Sequence, residues 1–164
     1  MKTSRSLFAV LGTTLALALS FASPVLAAEE PTRAEYVAQL EQICKPRSEA
    51  TARAVRGVRA DVRAERLALA GRKFARARRI FGATVQAIAR VPRPAADRPT
   101  LRRWFGALGS EELYLGQMVK ALRRDSVAGF QRVSARFIHQ GNRANNAVVS
   151  FGFNYCSFKP TRFQ

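Results

Sequence analysis

The chain has 164 residues, 28 of them Lys or Arg and 11 Asp or Glu, for a formal net charge of +17. Nearly half is hydrophobic, with eleven Phe and one Trp, which excludes a disordered polyelectrolyte and leaves enough chain for a buried core. One histidine, two cysteines and no glycine-rich phosphate loop, metal-spaced Cys/His set or Ser/His/Asp arrangement point away from an enzyme and from a metal or other cofactor.

Residues 1–27 have the pattern of a cleaved export signal. Lys2 and Arg5 give the basic start, Leu7 to Phe21 the apolar core, and Val25-Leu26-Ala27 the small residues at a cut. The rival reading is an uncleaved anchor, since about 20 apolar residues span a bilayer. Ser20, Ser23 and Pro24 interrupt the run and favour cleavage. Residues 28–164 are then one domain in the bacterial envelope or medium. An oxidising space favours joining Cys44 to Cys156, whereas a reactive thiol would need a partner base that the sequence does not offer.

The first predicted helix starts at a capping box, Thr32-Arg33-Ala34-Glu35, behind Pro31. Val37, Leu40, Cys44, Thr51, Val55, Val58 and Val62 recur at helical spacing, so the helix is expected to continue past Pro46 with a kink near Cys44 to Pro46. Its end falls between Gly57 and Gly71. The second helix carries one stripe, Leu67, Ala70, Phe74, Ala77, Phe81, Val85 and Ile88, and stops at Val91-Pro92-Arg93-Pro94. Asp97 and Pro99 open the third, whose stripe is Leu101, Trp104, Phe105, Leu108, Leu115, Val119 and Leu122. Asp125 or Ser126 caps the fourth, which runs on Phe130, Ser134, Phe137, Gly141, Ala144, Val148 and Phe151. Beyond Gly152, alternation of Phe153 and Tyr155 suggests an extended tail across the bundle's end, with Phe151, Phe158 and Phe163 packed there or forming a membrane-docking patch.

Four helices joined by short turns imply an antiparallel up-down bundle, in which the start of the first and the end of the last share a pole. Cys44 and Cys156 then lie close enough to bridge. The sequence also carries Tyr36 with Ile43-Cys44, the link Val91-Pro92-Arg93-Pro94-Ala95-Ala96-Asp97 leading to Leu101 and Trp104, and the closing Gly152-Phe153-Asn154-Tyr155-Cys156. In these it resembles an uncharacterised group of exported, single-disulfide, all-helical bacterial proteins. The resemblance implies the fold and export and supplies no catalytic residue; the basic middle third departs from the group's pattern.

Between Lys45 and Arg103 seventeen Lys and Arg face four acids, Glu49, Asp61, Glu65 and Asp97. At about 100° per residue, Arg72, Arg76, Arg79 and Arg90 lie opposite the stripe of the second helix. Arg53, Arg56, Arg59, Arg63 and Arg66 edge the first, and Arg132, Arg136, His139 and Arg143 the fourth. A solvated face accounts for most charge runs, but the shortage of acids points to polyanions: an anionic membrane, a phosphate-rich wall polymer or nucleic acid. No aromatic series interleaves with the arginines, so a dedicated nucleic-acid motif is lacking. His139, the only histidine, faces outward. Glu112 is expected inside the third helix's stripe, paired with Arg78 at the edge of the core, where the pair fixes register or lines an internal pocket for a small ligand.

Overall fold

The computed structural model describes residues 30–157 and residue 159, and within them the chain is all-helical. The signal segment, residues 1–27, and Phe158 and Phe163 lie outside the described residues. Four long helices are α1 (Arg33–Val55), α3 (Leu67–Ala89), α4 (Arg98–Leu122) and α5 (Val127–Ala147); a short α2 (Val58–Arg63) lies between α1 and α3, a 3₁₀ turn at Ala95–Asp97 leads into α4, and a second at Val149–Phe151 follows α5. Helix α1 packs on α3, α3 on α4, and α4 most extensively on α5. A disulfide joins Cys44 to Cys156. No helix among the described residues is long and apolar enough to cross a membrane.

Each helix starts and stops for a local reason. The capping box at α1 is closed on both sides: Glu35 N–H donates to Thr32 Oγ1 at 3.2 Å, and Thr32 N–H to Glu35 Oε2 at 2.8 Å. That second bond holds the Glu35 carboxyl below its ordinary pKa. Helix α1 continues through Pro46, whose ring deprives only the carbonyl of the exposed residue Gln42 of its helical donor. The break expected between Gly57 and Gly71 comes at the start of that range, at Gly57, whose φ of +70° falls where side chains are strained, and Val58 and Val62 lie on the separate short α2. At α5, Ser126 Oγ accepts from Gly129 N–H at 3.2 Å, settling the choice of cap. Asp97 stands at the N-cap of α4 but makes no capping bond; its carboxylate is taken by Arg33.

The core forms two clusters along the bundle. One gathers Val55, Val58, Phe74, Leu115, Met118, Leu122 and Phe137; the other Tyr36, Leu40, Cys44, Ile88, Leu101, Trp104, Leu108, Val148, Phe151 and Phe153. In the second, Phe153 stacks on Trp104 with centroids 5.3 Å apart and on Phe151 at 5.5 Å, and Phe151 meets the edge of Tyr36 at 6.5 Å. The described part of the tail, Phe151, Phe153 and the half-buried Tyr155, therefore packs over the bundle's end.

The start of α1, the α3–α4 link and the tail meet at that end. Arg33 bridges to Asp97 and Arg98 to Glu30, while Glu41 accepts backbone N–H groups from Asn154, Tyr155 and Cys156 at 3.0 to 3.2 Å. The disulfide thus closes a junction already fixed by a carboxylate. Its sequence separation of 112 residues removes much unfolded-chain entropy. Replacing both cysteines by Ser is expected to lower stability by about 3–5 kcal/mol in urea unfolding.

Candidate functional site

Five of the acids, Glu30, Glu35, Glu41, Asp61 and Asp97, are engaged at caps and junctions of the fold, while Glu49, Glu65 and Asp125 are exposed. Asp61, 4% exposed, accepts from Arg66 Nη2 at 2.8 Å and Lys73 Nζ at 2.5 Å, and Lys73 also donates to the Arg56 carbonyl, fixing the break between α1 and α2 to α3. Hydrogen bonds from Lys73 and Arg66 hold the Asp61 carboxyl below the ordinary range, and Arg33 does the same for Asp97. Glu35 caps α1, Glu41 holds the tail, and Glu30 pairs with Arg98.

The cations are left facing water. Arg53, Arg56, Arg63, Arg72, Arg76, Arg79, Arg132, Arg136 and Arg143 are all exposed, and among the described residues none has an ion-pair partner. Arg66, expected on the same basic side as Arg63, is instead drawn onto Asp61. The structure does not merge the nine into one patch. Arg132 and Arg136 share a concavity of about 260 Å³ with Lys120 and Arg124, between the end of α4 and the start of α5, and no acid lines it. Arg63 and Arg59 rim a separate groove floored by Phe74, Met118 and Phe137. Sequence reasoning did not assign Lys120 and Arg124 to this surface; their spacing from Arg132 across the Arg124–Ser126 turn was the available signal.

Arg78 Nη2 lies 3.8 Å from Glu112 Oε1, but at the surface of the α3–α4 seam, with side chains 48% and 40% exposed. Gly82 and Gly116 make room for the pair. A Cβ at Gly82 would stand 3.3 Å from Glu112 Oε1, and one at Gly116 3.3 Å from Arg78 Cζ. Glu112 therefore does not occupy the apolar stripe, which corrects the expectation from sequence. The stripe's carboxyl is Glu111, 1% exposed, in phase with Leu101, Trp104, Leu108, Leu115, Met118 and Leu122 at alternating spacings of three and four.

Glu111 lines a cavity of about 100 Å³ between the two core clusters and beneath the disulfide. Ser48, Thr51 and Thr84 share the lining, as do Phe81, Val85 and Ile88. Thr51 and Thr84 donate to the carbonyls of Arg47 and Ile80 on their own helices. Ser48 Oγ and Glu111 Oε1 are buried with no hydrogen-bond partner among the described residues. Burial pushes the Glu111 carboxyl up to about 8, so it is mainly protonated at neutral pH. Burial likewise pushes the Tyr36 hydroxyl up to about 12. His139 is exposed, and among the described residues no His, Cys, Asp and Glu side chains form a metal-holding group.

Two stability measurements follow from these carboxyls. The folded state holds the Glu111 proton more tightly than the unfolded chain. Its contribution is therefore complete below the ordinary value of 4.5 and is lost as pH rises through about 8. Chemical denaturation should show a decline of order 4 kcal/mol across that window, absent in Glu111→Gln. Asp61 and Asp97 act oppositely, adding stability above the ordinary carboxylate range that is lost as pH falls below it. Glu112→Gln, at the half-exposed pair, should cost less than about 1 kcal/mol by the same assay.

Comparison with protein-family models, with curated proteins and with solved structures finds no match for this chain, so its functional reading rests on this geometry.

Proposed function

We propose that this is an exported, non-enzymatic helical bundle that binds phosphate-rich polyanions or anionic membrane surfaces through unpaired arginine and lysine side chains. The observation that carries the reading is the concavity at the α4–α5 turn, where Lys120, Arg124, Arg132 and Arg136 converge without an acid. Four cations sharing one hollow repel one another unless an anion or counterions lie between them, and binding a polyanion there releases those counterions. Arginine adds a planar guanidinium that donates two parallel bonds to phosphate. The ridges at Arg53 and Arg56, at Arg72, Arg76 and Arg79, and at Arg143 extend the positive field that steers such a partner inward.

Two further elements belong to the proposal. The chain enters the envelope through residues 1–27, and the Cys44–Cys156 bridge supports an oxidising destination. The helices run antiparallel, up and down, which the meeting of the α1 start, the α3–α4 link and the tail supports.

Binding of the oxidised protein to duplex DNA and to anionic and neutral vesicles should fall steeply with salt and be absent on neutral vesicles. Changing Lys120, Arg124, Arg132 and Arg136 together to Gln should reduce the slope of log K against log salt on DNA by about 3 to 4. An unchanged slope would remove the concavity from the interface.

A further inference from the structure

The cavity beneath the disulfide has features that the surface reading does not use. Its deepest polar group is Glu111, and both Oε1 of that residue and Oγ of Ser48 lack partners. A buried polar atom left unpaired costs free energy comparable to a lost hydrogen bond, so two at one cavity mark a place for something else to bond. The space, about 100 Å³, compares with the roughly 150 Å³ that encloses a benzene.

The lining also sets the sign of the charge. Arg47 of α1 and Lys159 of the tail are the cations around the cavity, and Glu111 is its one carboxyl. The remaining titratable group is Tyr155 of the tail; α3 and α5 contribute Thr84 and Asn145, which do not titrate. Arg47 Nη1 bonds the Ile43 carbonyl at 3.4 Å, leaving its other N–H groups available. With Glu111 protonated, the site carries positive charge, an acid O–H, a hydroxyl and apolar walls from Phe81, Val85 and Ile88. An ammonium ligand would meet Arg47 and Lys159, whereas a carboxylate meets two opposite charges and two hydrogen-bond donors.

We propose that this cavity is a binding site for a small monocarboxylate, its carboxylate held by Ser48, the Glu111 acid and Arg47, and its short alkyl body lying against the α3 side chains. Since ionised Glu111 would repel such a ligand, binding requires the protonated form and weakens as the pH rises past it.

The test is an amide NMR titration of the oxidised protein with sodium butyrate, butylamine hydrochloride and 1-butanol at constant ionic strength. Butyrate at pH 6.5 should shift the Ser48, Thr84 and Glu111 amides saturably, with at least tenfold weaker binding at pH 9.5. Butylamine should leave them unmoved, and butanol should bind at least tenfold more weakly. Glu111→Gln should bind butyrate with no pH dependence, and Arg47→Gln, a change at the rim that leaves the core intact, should weaken it severalfold. Butyrate shifts that do not saturate, equal shifts with butylamine, or wild-type binding indifferent to pH would overturn the proposal and leave a cavity that only water fills. The arginine concavity at α4–α5 is tested separately by its salt slope, so either site can fail alone.

Discussion

With 11 carboxylates against 28 cations, the position of each acid constrains how this chain folds. A protein with balanced charge scatters ion pairs over its surface, where each contributes little. Here Asp61 fixes the helix break, Asp97 ties α1 to the α3–α4 link, Glu41 holds the tail and Glu35 caps the first helix. Asp61 and Asp97 are almost fully buried, where an unpaired carboxylate would be costly and a paired one fixes geometry. With so few acids and several of them committed to these junctions, most of the exterior arginines are left without an ion-pair partner among the described residues.

Among the described residues Glu111 is the buried acid with no cation on it. It lies between the two hydrophobic clusters at the level of Ser48, Thr51 and Thr84, so a polar layer crosses the bundle where other turns are filled by Leu, Phe and Ile. Two well-packed halves joined through such a layer can differ in local stability, because the layer holds fewer apolar contacts than either neighbour. The disulfide adjoins this layer and restrains the part that packing secures least.

Much of the fold was legible because apolar periodicity is strong on α3 and α5, and because the start of α1, the Pro92–Pro94 stop and Ser126 are local signals. Gly57 was visible only as the edge of an uncertain boundary, since the phase Val55, Val58, Val62 carries on across the break. Glu111 was misassigned as Glu112 because both fill the gap between Leu108 and Leu115; Met118, omitted from the stripe, selects position 111. The bonds of Glu41, Asp61 and Asp97 span from 5 to 115 residues along the chain, and the long ones have no sequence signature because they depend on which ends meet. For the same reason the exposed arginines were legible one helix at a time, but the union of Arg132 and Arg136 with Lys120 and Arg124 needed the turn's geometry.

The Glu41 contacts to the backbone of Asn154, Tyr155 and Cys156 have a kinetic consequence for a chain made from its N-terminus onward. The partners of the first helix in this junction are among the last of the described residues to be synthesised. Until they arrive, Tyr36 and Trp104 lack their Phe151 and Phe153 neighbours, and Cys44 has no thiol to join. Closure is therefore a late, non-local event, slowed by the entropy of a long loop. A chain lacking its last described residues would carry an open aromatic end on an already cationic body, a form in which apolar surface favours association.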